Sequence, residues 1–254
     1  MREINANINS QIYLGQFQRD IGGHISDFRN VLRTIEDESF VGRSQQKGPE
    51  AIVHIQAPNA SLRKDDATQR AIDNCFLAMM RSVVSFMDRI IATKRADGKP
   101  ILNVPVGTVV GEELLPFIET HLEQFYREVA EDTSLTNPKK VSTLDGIPDW
   151  IGESLRSMFA VRRALEHHRG VSKQELTLAL RRMRLTVGER EIGKLPMHVK
   201  GGEQLMMQVV EANTVFPSNS LIMLSELDIE NLFFTLQSII GPAILQTLNK
   251  AKME

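Results

Sequence analysis

The stretch RRALEHHRG, Arg162 to Gly170, holds two adjacent arginines, two adjacent histidines and a closing glycine within nine residues. Arginine carries a permanent cation whose planar fork matches phosphate oxygens. Histidine is the side chain whose ordinary pKa lies nearest neutrality, so it can take and give a proton. Together they suit RNA cleavage without a metal. One group removes the proton of a ribose 2′-OH while another stabilises the charge that builds at phosphorus. Spacing alone leaves two readings open. Arg163 and His167 are four apart and share a helical face, as do Arg162 and Glu166, which could form a structural ion pair. Arg162 and His167 are five apart, about 140° around an ideal helix. A long side chain, a fraying helix end or a partner subunit must bring them to one phosphate. The plainer reading is a solvated helix end with intrahelical pairs. A metal site built from Glu166, His167 and His168 is disfavoured, because consecutive helical residues point about 100° apart.

The rest of the chain offers little competing chemistry. There is no glycine-rich phosphate loop, no metalloprotease histidine pair and no nucleophile-elbow serine. Asp65 and Asp66 are adjacent and read as an acidic helix start. Cys75, the single cysteine, lies beside an apolar helical stripe and reads as buried and structural. His24, His54, His121 and His198 are isolated in the sequence. With 254 residues, 42% hydrophobic and 24% charged, the chain is expected to bury a real core as a globular, cytoplasmic protein. No apolar run is long enough for a membrane span. A net charge of −2 gives no overall attraction to nucleic acid, so any such binding must come from a local patch.

The elements that must position the motif are mostly helical. Leu14, Phe17, Ile21, Ile25, Phe28, Leu32 and Ile35 form one apolar stripe, with Gly22 and Gly23 either weakening its middle or allowing close packing. Glu50 to Pro58 is compatible with a short strand. A second helix starts near Asp65 or Asp66 and carries Ile72, Phe76, Met79, Val83, Phe86 and Ile90. Gly98 to Gly107 contains two prolines and cannot be helix. A third helix follows Gly111, with Leu114, Phe117 or Ile118, His121 or Leu122, and Phe125 facing inward. Asn137 to Pro148 reads as loop. A fourth helix runs from about Asp149 towards Gly170, a natural C′ glycine. Beyond it, LALRRMRLTVGEREI and LIML read as short strands, with Gly188-Glu189 as a hairpin turn. Ser225 caps a final helix that Pro242 should kink or interrupt, its pattern resuming with Ile244 and Leu248. The expected fold class is mainly α, a helical bundle with a small β hairpin or sheet excursion before the C-terminal helix.

Arg162, four intervening residues, His167 and then Gly170 resemble the signature of the HEPN superfamily, helical-bundle proteins common in bacterial toxin–antitoxin and phage-defence systems. Its pattern reads arginine, polar, small, aliphatic, any residue, histidine, two residues, glycine. Arg162, Ala164, Leu165, His167 and Gly170 fall in those places, and SELDIENLFFTLQSII resembles the closing helix of that group. The resemblance covers roughly the last two-thirds of the chain. It implies one HEPN-like domain over residues 1–254, with 1–60 an N-terminal helix and extended segment and 61–254 the core bundle carrying the motif. It further implies a metal-independent endoribonuclease that needs no cofactor, working as a homodimer on RNA, with an antitoxin or defence-system protein as a further partner. His167 would be the general acid/base and Arg162 the phosphate clamp, with Arg163 and His168 auxiliary. A symmetric dimer would supply the second histidine that the reaction needs. Arg163 departs from the family pattern, which usually has an uncharged polar residue there. A second cation would either help hold phosphate, or depress the histidine's pKa or repel the facing subunit's motif. Residues 161–200 hold ten Lys/Arg against four Asp/Glu. That surplus makes Arg169, Lys173, Arg181, Arg182 and Arg184 candidates for RNA phosphates, or else charges that keep strand edges soluble. Two other readings stand beside the nuclease: a non-catalytic HEPN-like module for dimerisation or for binding RNA or protein, and a nucleotide-binding regulatory domain, against which the missing phosphate loop counts.

Overall fold

The apolar stripes become the interior of a mainly α structure. The computed structural model describes residues 2–5, 11–36, 60–96, 101–106, 115–187, 190–192 and 205–250. Helix α1 spans Gln11–Glu36 and buries Tyr13, Phe17, Ile21, Ile25, Phe28 and Ile35. It packs along α2, Ala60–Arg95, where Ile72, Phe76, Met79, Val83, Phe86 and Ile90 are all buried. Phe17 stacks on Phe86 with ring centroids 4.6 Å apart. Each such side chain taken from water contributes about 1.5–3 kcal/mol, so this seam is a main source of stability. A methyl group built on Gly22 or Gly23 would meet nothing within 4 Å, so these glycines serve no close approach and only weaken the helix. The strand expected over residues 50–58 lies outside the described residues.

The proline-flanked segment that could not be helix contains strand β2, Ile101–Val104, which pairs antiparallel with β1, Arg2–Asn5. Helix α3, Leu115–Glu131, turns Ile118, Leu122 and Val129 inward. Of the paired options in its stripe, Ile118 and Leu122 are the buried members.

The segment expected to be loop is a helix at its start. Helix α4, Asn137–Ser142, carries its proline in the first turn, where a missing N–H leaves no hydrogen bond unmade. Tertiary contacts then hold this short helix. Val141 is buried, and Lys140 Nζ lies 2.7 Å from Asp88 Oδ1 on α2.

Helix α5, Asp149–His167, buries Ile151, Leu155, Met158, Phe159, Val161 and Ala164. Strand β3, Leu176–Val187, then pairs antiparallel with β4, Arg190–Ile192, and along its whole length with β5, Leu205–Phe216. The pairing of Val187 with Arg190 leaves two residues between the strands, as the hairpin reading required. The strand reading of LIML is corrected. Leu221 makes one isolated bridge to Val171, and β5 is the long partner of β3 instead.

On the edge of β3 away from β5, ahead of its pairing with β4, helix hydroxyls take up backbone donors. Ser157 Oγ of α5 accepts the Ala179 N–H at 3.0 Å, and Thr235 Oγ1 accepts the Arg181 N–H at 2.9 Å. Backbone groups that would otherwise be unpaired edge donors are thereby satisfied. Helix α6, Glu226–Thr235, has Ser225 as N-cap in a full capping box with Asp228, and Asp228 also accepts from Thr214 of β5. Pro242 does not end the chain's last helix. A π-helical turn, Leu236–Ile240, joins α6 to α7, Gly241–Lys250, with the Gly241 N–H donating to Leu236 O. At the junction a methyl group on Gly241 would come within 3.0 Å of Leu14 and Phe17, so α7 meets α1 at close range.

Candidate functional site

The end of α5 and the start of α4 border a groove of about 710 Å³. Its α5 wall carries Arg156, Arg162, Arg163, Glu166 and His167, followed by His168 at the helix C-cap. Thr136, Asn137 and Pro138 also line it, and the loop before β3 adds Lys173 and Gln174.

The backbone fixes how the histidines leave the helix. The His168 N–H still bonds Ala164 O at 3.0 Å, after which the chain turns. Arg169 adopts φ +54° and Gly170 φ +74°. Gly170 is therefore not the first left-handed residue, as the sequence suggested; Arg169 takes that place, at a cost of roughly 1–2 kcal/mol for a residue with a Cβ. Gly170 is held from both sides, its N–H bonding Ala164 O at 3.1 Å and its carbonyl accepting the Ile222 N–H at 2.7 Å. The ordered turn keeps Lys173 and Gln174 over the groove.

The expected intrahelical pair is formed. Arg162 Nε donates to both Glu166 carboxylate oxygens at 3.1 Å. Arg162 and His167 nevertheless line the same groove, although an ideal helix separates them by about 140°. Arg163, His168 and Lys173 join them there.

The other basic candidates lie elsewhere. Arg169 is exposed and outside the groove lining. Arg181 pairs with Glu211 at 3.0 Å and stacks over the Trp150 ring at 4.8 Å, which makes it part of the sheet's packing. Arg182 and Arg184 sit opposite Val210 and Gln208, on the alternate face of β3, and each holds an interaction within the chain. Arg156 is a groove cation that the motif reading missed. It is legible from helical spacing, since Arg156, Ala160, Arg163 and His167 recur at steps of four, three and four.

Among the described residues that line the groove, four cations, Arg156, Arg162, Arg163 and Lys173, stand against one carboxylate, Glu166. That balance favours a polyanion, and the paired imidazoles add proton-handling groups to the same space. Among the described residues no cluster of three His, Cys, Asp or Glu side chains is placed to hold a metal ion, and no helix is long and apolar enough to cross a membrane. Cys75 is no nucleophile: burial pushes its thiol up to about 12, and it rests against His24 O at 3.6 Å. Compared with known proteins, the chain matches no family model, no curated protein and no solved structure.

Proposed function

We propose that this protein is a metal-independent endoribonuclease whose groove at the end of α5 binds the RNA backbone. The observation that carries the reading is the convergence, among the described residues, of four cations and two adjacent histidines on one groove with one carboxylate. Arg162 clamps the scissile phosphate, with Arg156, Arg163 and Lys173 holding flanking charge. One imidazole, assigned to His167, removes the 2′-OH proton. The 2′-oxygen attacks phosphorus, the bond to the 5′-oxygen breaks, and a second imidazole gives that oxygen a proton. The products are a 2′,3′-cyclic phosphate and a 5′-hydroxyl. His168 supplies the second imidazole within one chain, while a homodimer would supply another His167. A toxin or phage-defence setting, with a restraining partner protein, belongs to the HEPN resemblance.

The test is cleavage of RNA in EDTA, with the ends identified chemically. We expect cyclic phosphate ends and a loss of at least about 100-fold in each of Arg162→Ala and His167→Ala, with the circular dichroism of the fold unchanged. Undiminished cutting by both variants would remove the assignment. The Arg162–Glu166 contact favours a second reading, a non-catalytic module that binds RNA or a partner protein, because it can hold Arg162 in a structural role. That reading expects tight RNA association without product, weakened by Arg162→Ala.

A further inference from the structure

The Arg162–Glu166 pair in the groove lining differs from a fully exposed helical ion pair. Arg127 and Glu123 on α3 are also four apart and 3.0 Å from each other, yet their side chains are 65% and 62% exposed. The side chains of Arg162 and Glu166 are less open, at 18% and 27%, although Glu166 as a whole residue is exposed, and both line the groove. The contact also uses one edge of the guanidinium. Both carboxylate oxygens accept from Nε. This contact leaves the four Nη hydrogens of Arg162 outside the ion pair.

From this geometry we infer that Glu166 is a positioning residue for phosphate binding. It fixes the Arg162 guanidinium through Nε and leaves the Nη end for the phosphate. The inference rests on the endoribonuclease reading of this groove. A carboxylate acting as a competitor for phosphate would face the Nη end, where a guanidinium grips phosphate with two parallel hydrogen bonds. A carboxylate confined to Nε instead restricts the long side chain before substrate arrives, which removes part of the ordering cost from the transition state. Glu166 also subtracts one charge from the groove, and the two roles act in opposite directions on binding and turnover.

The experiment separates them with three proteins: wild type, Glu166→Ala and Glu166→Gln. Glutamine keeps an oxygen acceptor for Nε but no charge. Removing the charge should tighten binding of a non-cleavable 2′-fluoro oligonucleotide in both variants, most at low salt. Removing the acceptor should lower kcat about 10–100-fold in Glu166→Ala, with Glu166→Gln recovering most of it. Arg127→Ala serves as the control and should change neither quantity. A second readout needs no activity. The Arg162 Nε–H resonance, assigned by its loss in Arg162→Lys, should exchange slowly with water in wild type and Glu166→Gln and rapidly in Glu166→Ala. Wild-type kcat in Glu166→Ala, or faster turnover in both variants, overturns the inference, as does an Nε–H signal indifferent to Glu166→Ala. If wild type never cuts RNA, the endoribonuclease reading fails, and the resonance still decides whether Glu166 holds Arg162.

Discussion

Two ion pairs serve the groove, one buried beneath α4 and one in the α5 lining, and they are built differently. Lys140 and Asp88 join α4 to α2 across 2.7 Å, with side chains 6% and 4% exposed. Arg162 and Glu166 lie within one helix, half-open to the groove. In the first pair the charges are sealed from solvent and face each other. Burial raises the Asp88 carboxyl above its ordinary value against the pull of Lys140, so the loss of hydration outweighs the attraction. Such a pair fixes where α4 sits, and α4 lends Asn137 and Pro138 to the groove that the histidines also line. In the second pair the guanidinium keeps an edge for something else. A sealed pair locates an element, whereas a half-open pair presents a charge.

The largest expected effect breaks the sealed pair. Lys140→Met strands the Asp88 carboxylate and should cost about 3–5 kcal/mol in urea denaturation at neutral pH. The sign of its pH dependence follows from the direction of the Asp88 shift. A carboxyl whose folded value is raised favours folding while protonated and loses that contribution as pH rises through the folded value. Lys140 pulls the Asp88 value down, so Lys140→Met raises it further and the variant gains more than the wild type on acidification. Its deficit should shrink as pH falls, and adding Asp88→Leu should restore most of the stability at neutral pH. A deficit independent of pH would mean that the carboxylate is not what the variant strands. Next in size, Arg162→Ala should lower stability by no more than about 1 kcal/mol, because a partly solvated pair contributes little. A loss as large as that of Lys140→Met would class Arg162 as structural. Smallest is Arg127→Ala, with a change within about 0.5 kcal/mol that salt abolishes.

The helical framework was legible because burial follows a 3.6-residue period. Phe17, Ile21, Ile25 and Phe28, and likewise Phe76, Met79, Val83 and Phe86, are buried as their spacing required. Ser225 was legible as a cap because its reciprocal partner Asp228 stands three residues on. Helix α4 was not, because its stability resides in Val141 and the Lys140–Asp88 contact, and a six-residue segment carries too little period to show it. Strand β5 was obscured by a polar middle, Glu211-Ala212-Asn213-Thr214, whose place is set by its pairing with β3. At the groove, Arg162, Arg163, His167, His168 and Lys173 were found from sequence, but counting basic residues also gathered Arg181, Arg182 and Arg184. Charge surplus along a chain does not say which face of a strand each charge takes.

The π-helical turn before Pro242 bears on how this helix tolerates a change in length. Leu232, Leu236, Ile240 and Ile244 are all buried and all four residues apart. In an uninterrupted α-helix each such step overshoots by about 40°, so three steps would carry Ile244 a third of a turn from the face it shares with Leu232. The turn at Leu236–Ile240 closes on the fifth residue rather than the fourth, with the Gly241 N–H reaching Leu236 O. It behaves as a one-residue insertion already absorbed: the chain gains length there without losing phase, so Ile244 and Leu248 return to the core on the far side of Pro242.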